Sequence, residues 1–408
     1  MGGCCSQEQI QEFPDEFEYK NLVYLDITSV YGSQINLLAP DNVYKLPSPI
    51  KQLNHNCFLS NMPIKISGSI LPGMDFRSGQ TKICQDDYIC FIHNNCIICV
   101  LCDGHGSEGH HISKFAVEYI EKYFKKHFSK FRHDPKSVLS EMMLKCDKKI
   151  IANMDCDLSG TTAVVLLIDG GIAYSASLGD SRAIIGTLSQ IADVAHPRVN
   201  KYFRRITTDR NFKAIPLTQD QKPEHNDEMM RIRMSGGIVE KYTDAFGRNV
   251  GPYRVWNKDG TGPGLAMSRS LGDKVAKACG VISLPLYLDR AITIGKDQYI
   301  VVASDGIWDV MDNIEVINFI DKWKGKCDSI GSDEYPAVLS NSSISRLLCE
   351  EARYRWYGVA EQERVAIDDI SCVVMSFTID ECKDSVIAGE GETKLVKLEG
   401  STDFTNCD

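Results

Sequence analysis

Apolar residues along this chain follow two kinds of spacing. Short runs occupy residues 87–92 (DYICFI), 96–102 (CIICVLC), 161–168 (TTAVVLLI), 171–178 (GIAYSASL), 181–186 (SRAIIG), 298–304 (QYIVVAS) and 370–377 (ISCVVMSF). Runs of this length between turn residues predict strands. His93-Asn94-Asn95 makes a hairpin of the first two, and Asp169-Gly170 a tight turn between the next two. Elsewhere the spacing widens. Ile112, Phe115, Ala116, Tyr119, Ile120, Tyr123, Phe124 and Phe128 form one stripe, which predicts a helix over 108–128 with Ser107 as its N-cap. A second helix is predicted over 135–152, with Asp134 as cap and Pro135 in the first turn. Further helices are predicted over 224–235, closed by Gly236-Gly237, and over 313–323 and 341–357, while 187–213 reads as a loop. Strands, helices, strands, helices and a last strand imply antiparallel sheets covered by helices, not a parallel βαβ array.

Composition narrows the class. The chain has 408 residues, 43% of them hydrophobic, enough for a large core. The net charge of −10 argues against general nucleic-acid binding, which needs a basic footprint. No apolar run approaches the roughly 20 residues of a membrane span, and the N-terminus has no apolar segment of a secretory signal. The 16 cysteines therefore read as mostly reduced thiols. Cys96, Cys99 and Cys102 have a ligand-like spacing, but they lie among Ile, Val and Leu, where cysteine acts as a small hydrophobe.

Carboxylates recur where apolar strands stop. They are Asp86-Asp87, Asp103-Gly104-His105-Gly106, Asp305 to Asp309, and Asp368-Asp369, joined by the Gly-Asp pairs ending in Asp180 and Asp273. A lone Asp-Gly is usually a turn. Clustered carboxylates repel each other unless cations neutralise them, and hard oxygen ligands select Mg²⁺ or Mn²⁺. Gly104 has no side chain to keep its carbonyl from an ion.

The order of eight stretches resembles the metal-dependent protein phosphatase family, type 2C. They are QDDYICF, VLCDGHGSEGH, SGTTAVVLL, LGDSRAI, PLTQDQKPEHNDEMMRIRMSGG, LAMSRSLGD, ASDGIWDV and DDISCVV, within roughly 67–378. The resemblance implies an α+β fold, two antiparallel sheets packed face to face with helices on both outer sides (α-β-β-α). It implies hydrolysis of phosphoserine and phosphothreonine in proteins by a water or hydroxide held between two Mg²⁺ or Mn²⁺ ions, with a weaker third ion. Asp103 would bridge two ions, the Gly104 carbonyl would bind one, and Asp305 and Asp368 would complete the first site. Asp86 would hold metal-bound water, His105 would protonate the leaving alkoxide, and Asp180 and Asp309 would hold the third ion, near Asp273. The chain departs from the pattern in places. Ser107 stands where a second Gly often occurs, Gln85 replaces a Glu seen in some members, and Thr81 replaces a phosphate-binding Arg, with Lys82 or Arg77 as substitutes.

Two rival readings are weaker. Cys349 to Arg355 has the C-x5-R spacing of cysteine-dependent phosphatases, but Glu350 and Glu351 would repel phosphate, no Gly opens the loop, and the segment reads as mid-helix. A catalytically weak scaffold on the same fold would be expected to lack Asp103, Asp305 or Asp368, and all three are present.

The ends carry other signals. Met1-Gly2-Gly3-Cys4-Cys5-Ser6 matches the N-myristoylation pattern at Gly2, with Cys4 and Cys5 as palmitoylation points. One myristoyl chain binds membranes only marginally. Glu8, Glu12, Asp15, Glu16 and Glu18 against Lys20 exclude a basic second signal, which leaves acyl chains on the cysteines. The expectation is a monomeric enzyme tethered to the cytoplasmic face of a membrane, with a cytosolic pool, acting on phosphoproteins. Residues 1–20 form an acylated tail, 21–66 an extension, 67–379 the catalytic domain and 380–408 a polar tail. Arg198, Lys201, Arg204, Arg205, Arg210 and Lys213 make 198–213 a candidate docking surface for acidic segments or anionic lipid.

Overall fold

A computed structural model describes residues 50–59, 62–75, 78–189, 210–329, 343–363, 365–377 and 396–397. Gly2, Cys4, Cys5, Arg77 and most of the basic stretch 198–213 lie outside the described residues. In chain order the elements are β1 (Lys51–Leu59), β2 (Met62–Leu71), β3 (Asp86–His93), β4 (Cys96–His105), α1 (Gly109–Phe131), α2 (Pro135–Asn153), β5 (Gly160–Thr161), β6 (Ala163–Asp169), β7 (Ile172–Leu178), β8 (Arg182–Leu188) and β9 (Phe212–Pro216). Then come α3 (Asn226–Met234), β10 (Ile238–Thr243), β11 (Asn249–Trp256), β12 (Pro263–Leu265), β13 (Leu271–Gly272), α4 (Lys274–Lys277), β14 (Leu286–Ala291) and β15 (Asp297–Ala303). The last are α5 (Asp305–Trp308), α6 (Asn313–Ser329), α7 (Ile344–Glu363), β16 (Ile370–Phe377) and β17 (Val396–Lys397).

Strand β4 shows how the layers arise. Its residues are nearly all buried because both of its faces are covered. Side chains alternate across a strand. Cys96, Ile98, Val100 and Cys102 face a core shared with Ile112, Ala116, Ile120 and Phe124 of α1 and Leu139, Met142 and Met143 of α2. Ile97, Cys99 and Leu101 face a second core with Ile66 and Ile70 of β2, Ile185 of β8, Ile300 and Val302 of β15, and Val373 and Met375 of β16. That second core joins two sheets. One runs β1-β2-β16-β15-β8-β9; the other runs β13-β5-β4-β6-β7-β14, with β3 beside β4 and β17 beside β3. Every pairing among these strands is antiparallel. Helix α7 packs on β2 and β16, and α1 on β3 and β4, so helices cover both outer faces of the predicted sandwich. The same alternation puts Cys99 on the opposite face from Cys96 and Cys102, so the three cannot share an ion. None of the described cysteines is in a disulfide.

Several details differ from the sequence reading. Strands β1 and β2 pair along their whole length and β2 pairs with β16, so residues 51–59 and 62–66, expected in the N-terminal extension, belong to the sheet. The turn between β6 and β7 is Gly170-Gly171, both at positive φ, with Asp169 opposite Ile172 as the last strand pair. Ser107 does not cap α1. The residue at that position is Glu108, and its N–H donates to the Ser159 hydroxyl, 3.1 Å away, so the cap comes from a distant loop. Asp134 does cap α2, accepting from the Ser137 N–H at 3.1 Å. Phe212 and Lys213 belong to β9 rather than a loop. Arg210 donates to Asp321 and Gln298, at 2.8 and 3.0 Å, which occupies one cation of the expected docking surface in packing. Strands β10 to β12 form a small sheet that was not predicted, packed through Val239, Val255 and Leu265 against Ile232 of α3.

Candidate active site

Two sheets end at the same place with carboxylates. Asp86 opens β3 and stands directly opposite Asp103 near the end of β4. Side chains directly opposite across an antiparallel pair are close, and like charges there are destabilising. In the other sheet β15 pairs with β16, with Ala303 opposite Cys372. Asp305 follows the end of β15 and Asp368 precedes the start of β16, so antiparallel pairing brings them to one edge. Asp180 lies in the turn from β7 to β8, and Asp309 follows the single turn of α5.

Backbone contacts fix these positions. The Asp103 N–H donates to the Thr162 hydroxyl at 3.0 Å, and the Asp103 carbonyl accepts from the Thr162 N–H at 2.8 Å and the Thr161 hydroxyl at 2.9 Å. Asp369 accepts from the Gly73 N–H at 2.5 Å and the Gln85 N–H at 2.9 Å, tying the approach to β3 to the start of β16. Gln85, where some members have Glu, donates its amide to the Gly106 carbonyl at 2.6 Å. A Cβ on Gly104 would stand 2.4 Å from the Gly109 carbonyl, so the start of α1 itself demands glycine there. Gly106 has φ +82°, and a Cβ there would stand 2.4 Å from the Leu158 carbonyl. Thr161, Thr162 and Asp369 were missed as site residues because their work is done through the backbone of segments far away in sequence.

The electrostatics follow from this crowding. Burial, then the charge of Asp369, pushes the Asp86 carboxyl up to about 7; the Ser304 and Ser371 hydroxyls pull the other way without reaching hydrogen-bond geometry. Asp103 is raised well above the usual carboxylate range by desolvation and then by Asp86, Asp305 and Asp368. Asp305 is raised well above it by desolvation and then by Asp180, Asp368 and Asp309. Asp309 keeps an exposed edge, yet the protein around it and Asp180 push it up to about 6 against the pull of Lys222. Two lysines reach the rim. Lys82 donates to Asp368 at 3.3 Å, and Lys222 is paired with Asp180.

His105 ends β4, and its Nε2 lies 2.8 and 2.9 Å from the two oxygens of Asp273. Burial works to lower the imidazole pKa, but the charge and hydrogen bond of Asp273 more than offset it, and the net shift is upward. Asp273 is 2% exposed and sits at φ +49°, a left-handed conformation uncommon outside glycine, asparagine and aspartate. A Cβ on Gly160 would lie 2.2 Å from an Asp273 oxygen, so glycine at 160 makes room for that carboxylate. The sequence reading placed Asp273 near the third ion; the structure joins it to His105.

Whether these residues fit divalent ions is tested by their donors. Both oxygens of Asp86 and one of Asp180 are buried with no hydrogen-bond partner among the described residues. Buried anionic oxygens without partners are costly, and hard oxygens of this kind suit Mg²⁺ or Mn²⁺. No three His, Cys, Asp or Glu side chains among the described residues converge as ligands of a single ion do. The carboxylates are gathered, with Lys82 and Lys222 turned onto two of them, and taking up ions requires side-chain rotation. With that proviso the donor set fits.

A family model described as protein phosphatase 2C matches residues 97–355. The chain belongs to the protein phosphatase 2C family. The match takes in Asp103, His105, Asp180, Asp305 and Asp309, while Asp86 and Asp368 lie outside it. Among curated relatives, "Probable protein phosphatase 2C 72" of Arabidopsis thaliana is 31% identical over 291 residues, 68% of this chain and 76% of that protein. "Probable protein phosphatase 2C 12" of Oryza sativa subsp. japonica is 36% identical over 227 residues, 56% of this chain, and the chain spans about half (48%) of that protein's length. The fold is similar to the crystal structure of serine-threonine phosphatase 2C from Toxoplasma gondii, with TM-score 0.58 and 16% identity over 82% of this chain and all of that one. The predicted sandwich is therefore the family's fold. Cys349, of the rival C-x5-R reading, is fully buried within α7 with its thiol pKa raised well above the ordinary value by burial, no nucleophile.

Proposed function

We propose that this protein hydrolyses phosphoserine and phosphothreonine in proteins, using Mg²⁺ or Mn²⁺. The observation that carries the reading is the meeting of Asp86 and Asp103 from one sheet with Asp305 and Asp368 from the other, beside a His105 held by Asp273. Asp103, Asp305, Asp368 and the Gly104 carbonyl would hold one pair of ions, with Asp86 behind them, and Asp180 with Asp309 a weaker third. When bound, such ions supply positive charge to the phosphoryl oxygens and acidify a coordinated water. The chain's own residues do the rest. Asp273 fixes His105 through Nε2, and its negative charge favours the imidazolium. So held, His105 is the group that would release a proton to the leaving alkoxide. Lys82, at the rim on Asp368, is placed to exchange that carboxylate for a substrate phosphate oxygen, in place of the arginine absent at Thr81.

Two further parts of the reading concern residues outside the description. Gly2, Cys4 and Cys5 form the lipid anchor, holding the enzyme on the cytoplasmic face of a membrane, and Arg198, Lys201, Arg204 and Arg205 form a docking surface for acidic partners. The test of activity is phosphate release from a phosphothreonine peptide by purified protein with Mn²⁺ and with a chelator; equal rates in the two sink the reading. The test of the anchor is fractionation of Gly2→Ala and of Cys4→Ser with Cys5→Ser. If the double cysteine variant stays on membranes as firmly as the unaltered protein, dual acylation is wrong. Neutralising Arg204 and Arg205 should weaken binding to an acidic partner and spare hydrolysis of a small phosphate ester; equal losses point to a structural role.

A further inference from the structure

The segment from Ser304 to Asp312 carries two of the crowded carboxylates, Asp305 and Asp309, on a helix of one turn. A single turn has few hydrogen bonds of its own, and the charges of Asp103, Asp180 and Asp368 repel the carboxylates it presents. Beyond the segment's own backbone bonds, two adjacent residues of α7 hold it. The Trp356 indole N–H donates to the Gly306 carbonyl at 2.8 Å. The Arg355 guanidinium donates to the Val310 carbonyl at 3.1 Å. Each held carbonyl belongs to the residue immediately after a carboxylate, so each contact fixes main chain rather than a rotamer.

Arg355 is built for this. It is 1% exposed and among the largest fully buried side chains. Its Nε donates to Glu351 at 2.9 Å and its Nη1 to Glu315 at 3.1 Å. Glu315 also accepts from the Asp312 N–H at 3.2 Å, while its own N–H donates to Asp312 at 2.8 Å, which closes the start of α6 just after the segment. One guanidinium thus links α7, the end of the carboxylate segment and the beginning of α6. A planar fork can serve several acceptors at once; an ammonium is a point charge.

We propose that Arg355 and Trp356 are positioning residues of the metal centre. They set where Asp305 and Asp309 stand, and through that the affinity with which the cluster takes up Mn²⁺. The inference rests on the reading of that cluster as a metal centre. It is tested on the full chain by titrating Mn²⁺ by calorimetry and by the electron paramagnetic resonance of free Mn²⁺, alongside thermal unfolding. Trp356→Phe keeps an aromatic ring and removes the N–H; Arg355→Lys keeps the charge near Glu315 and Glu351 and loses the fork. Each should bind Mn²⁺ about tenfold more weakly, and kcat should recover as Mn²⁺ is raised to saturation. Unaltered Mn²⁺ affinity in folded Trp356→Phe overturns the proposal, however far the unfolding temperature falls, and that variant decides the matter if Arg355→Lys does not fold. A wild-type protein that takes up no Mn²⁺ sinks the metal-centre reading, and this inference with it.

Discussion

Glu228 and Asp86 are almost equally buried, at 6% and 5% exposure, and their carboxyls are shifted in opposite directions. Burial alone would raise Glu228, but Arg269 at 2.5 Å, Arg231 at 2.9 Å and the Ser268 hydroxyl at 2.5 Å bring it down to about 2. Asp86 faces Asp103 and Asp369, has no such partners, and is pushed up to about 7. The first carboxylate is neutralised by its own chain. The second has no partner among the described residues, as the proposed cation site would require. A buried group that costs stability persists where function needs it.

The comparison is broken most directly at Asp103. Asp103→Asn should reduce phosphate release to background in a Mn²⁺ assay, and Asp305→Asn should do the same. In chelator, Asp103→Asn should instead raise the unfolding temperature by about 2–4 °C, because a buried acid crowded by Asp86, Asp305 and Asp368 gives way to a neutral amide, at about 1 kcal/mol. An active Asp103→Asn, or one destabilised in chelator, would place the aspartates with the structural carboxylates.

Next in size is the imidazole. Removing a general acid costs about 10²–10⁴-fold, so His105→Ala should lose that much kcat while binding Mn²⁺ nearly as well as the unaltered protein. Asp273→Asn keeps the hydrogen-bonding shape but not the charge, and should lower kcat by a smaller factor in the same direction. Loss of Mn²⁺ binding in His105→Ala would make the residue a ligand instead.

Glu228 sharpens the other side. Its folded carboxyl titrates near 2, below the ordinary value of 4.5, so its stabilisation is complete above pH 4.5 and lost as pH falls towards 2. That shift corresponds to about 3 kcal/mol. Glu228→Gln should therefore lower stability at pH 7 and flatten its decline in acid, read by urea unfolding across pH. A variant whose stability falls in parallel with the unaltered protein at every pH contradicts the assignment. The smallest effect is expected at Cys349, 3.5 Å from the Cys372 sulfur and fully buried. Cys349→Ser should leave turnover unchanged, and a loss of activity without loss of fold would revive thiol chemistry.

Much of this was legible in the chain. The unbroken apolar run of residues 96–102 between turn residues announced a strand, and the strand's two faces follow from period two alone. The stripe from Ile112 to Phe128 announced α1, and Asp134-Pro135 the start of α2, because capping and periodicity are local. The Asp-Gly and Gly-Asp elements marked the candidate site, since carboxylates at the ends of apolar runs are costly without a partner. Local chemistry could not show that the Ser159 hydroxyl, not Ser107, receives the first free N–H of α1. Nor could it show that Gly104 is glycine because Gly109 comes so close, or that β1 and β2 join a sheet with β16 nearly 300 residues later.

The sequence by itself marked most strands and helices of the two large sheets and their covering layers, and the candidate metal and proton-transfer residues, because those properties depend on residue type and near neighbours; β1, β2, β9 and β10 to β12 escaped it. Tertiary structure alone decided which carboxylates stay unpaired and which are neutralised. Asp273 meets His105, Glu228 meets Arg269, and Arg355 reaches Glu315 only when distant segments pack together. A charge's energy is set by what lies within a few ångströms, and the order of residues along a chain does not state that distance.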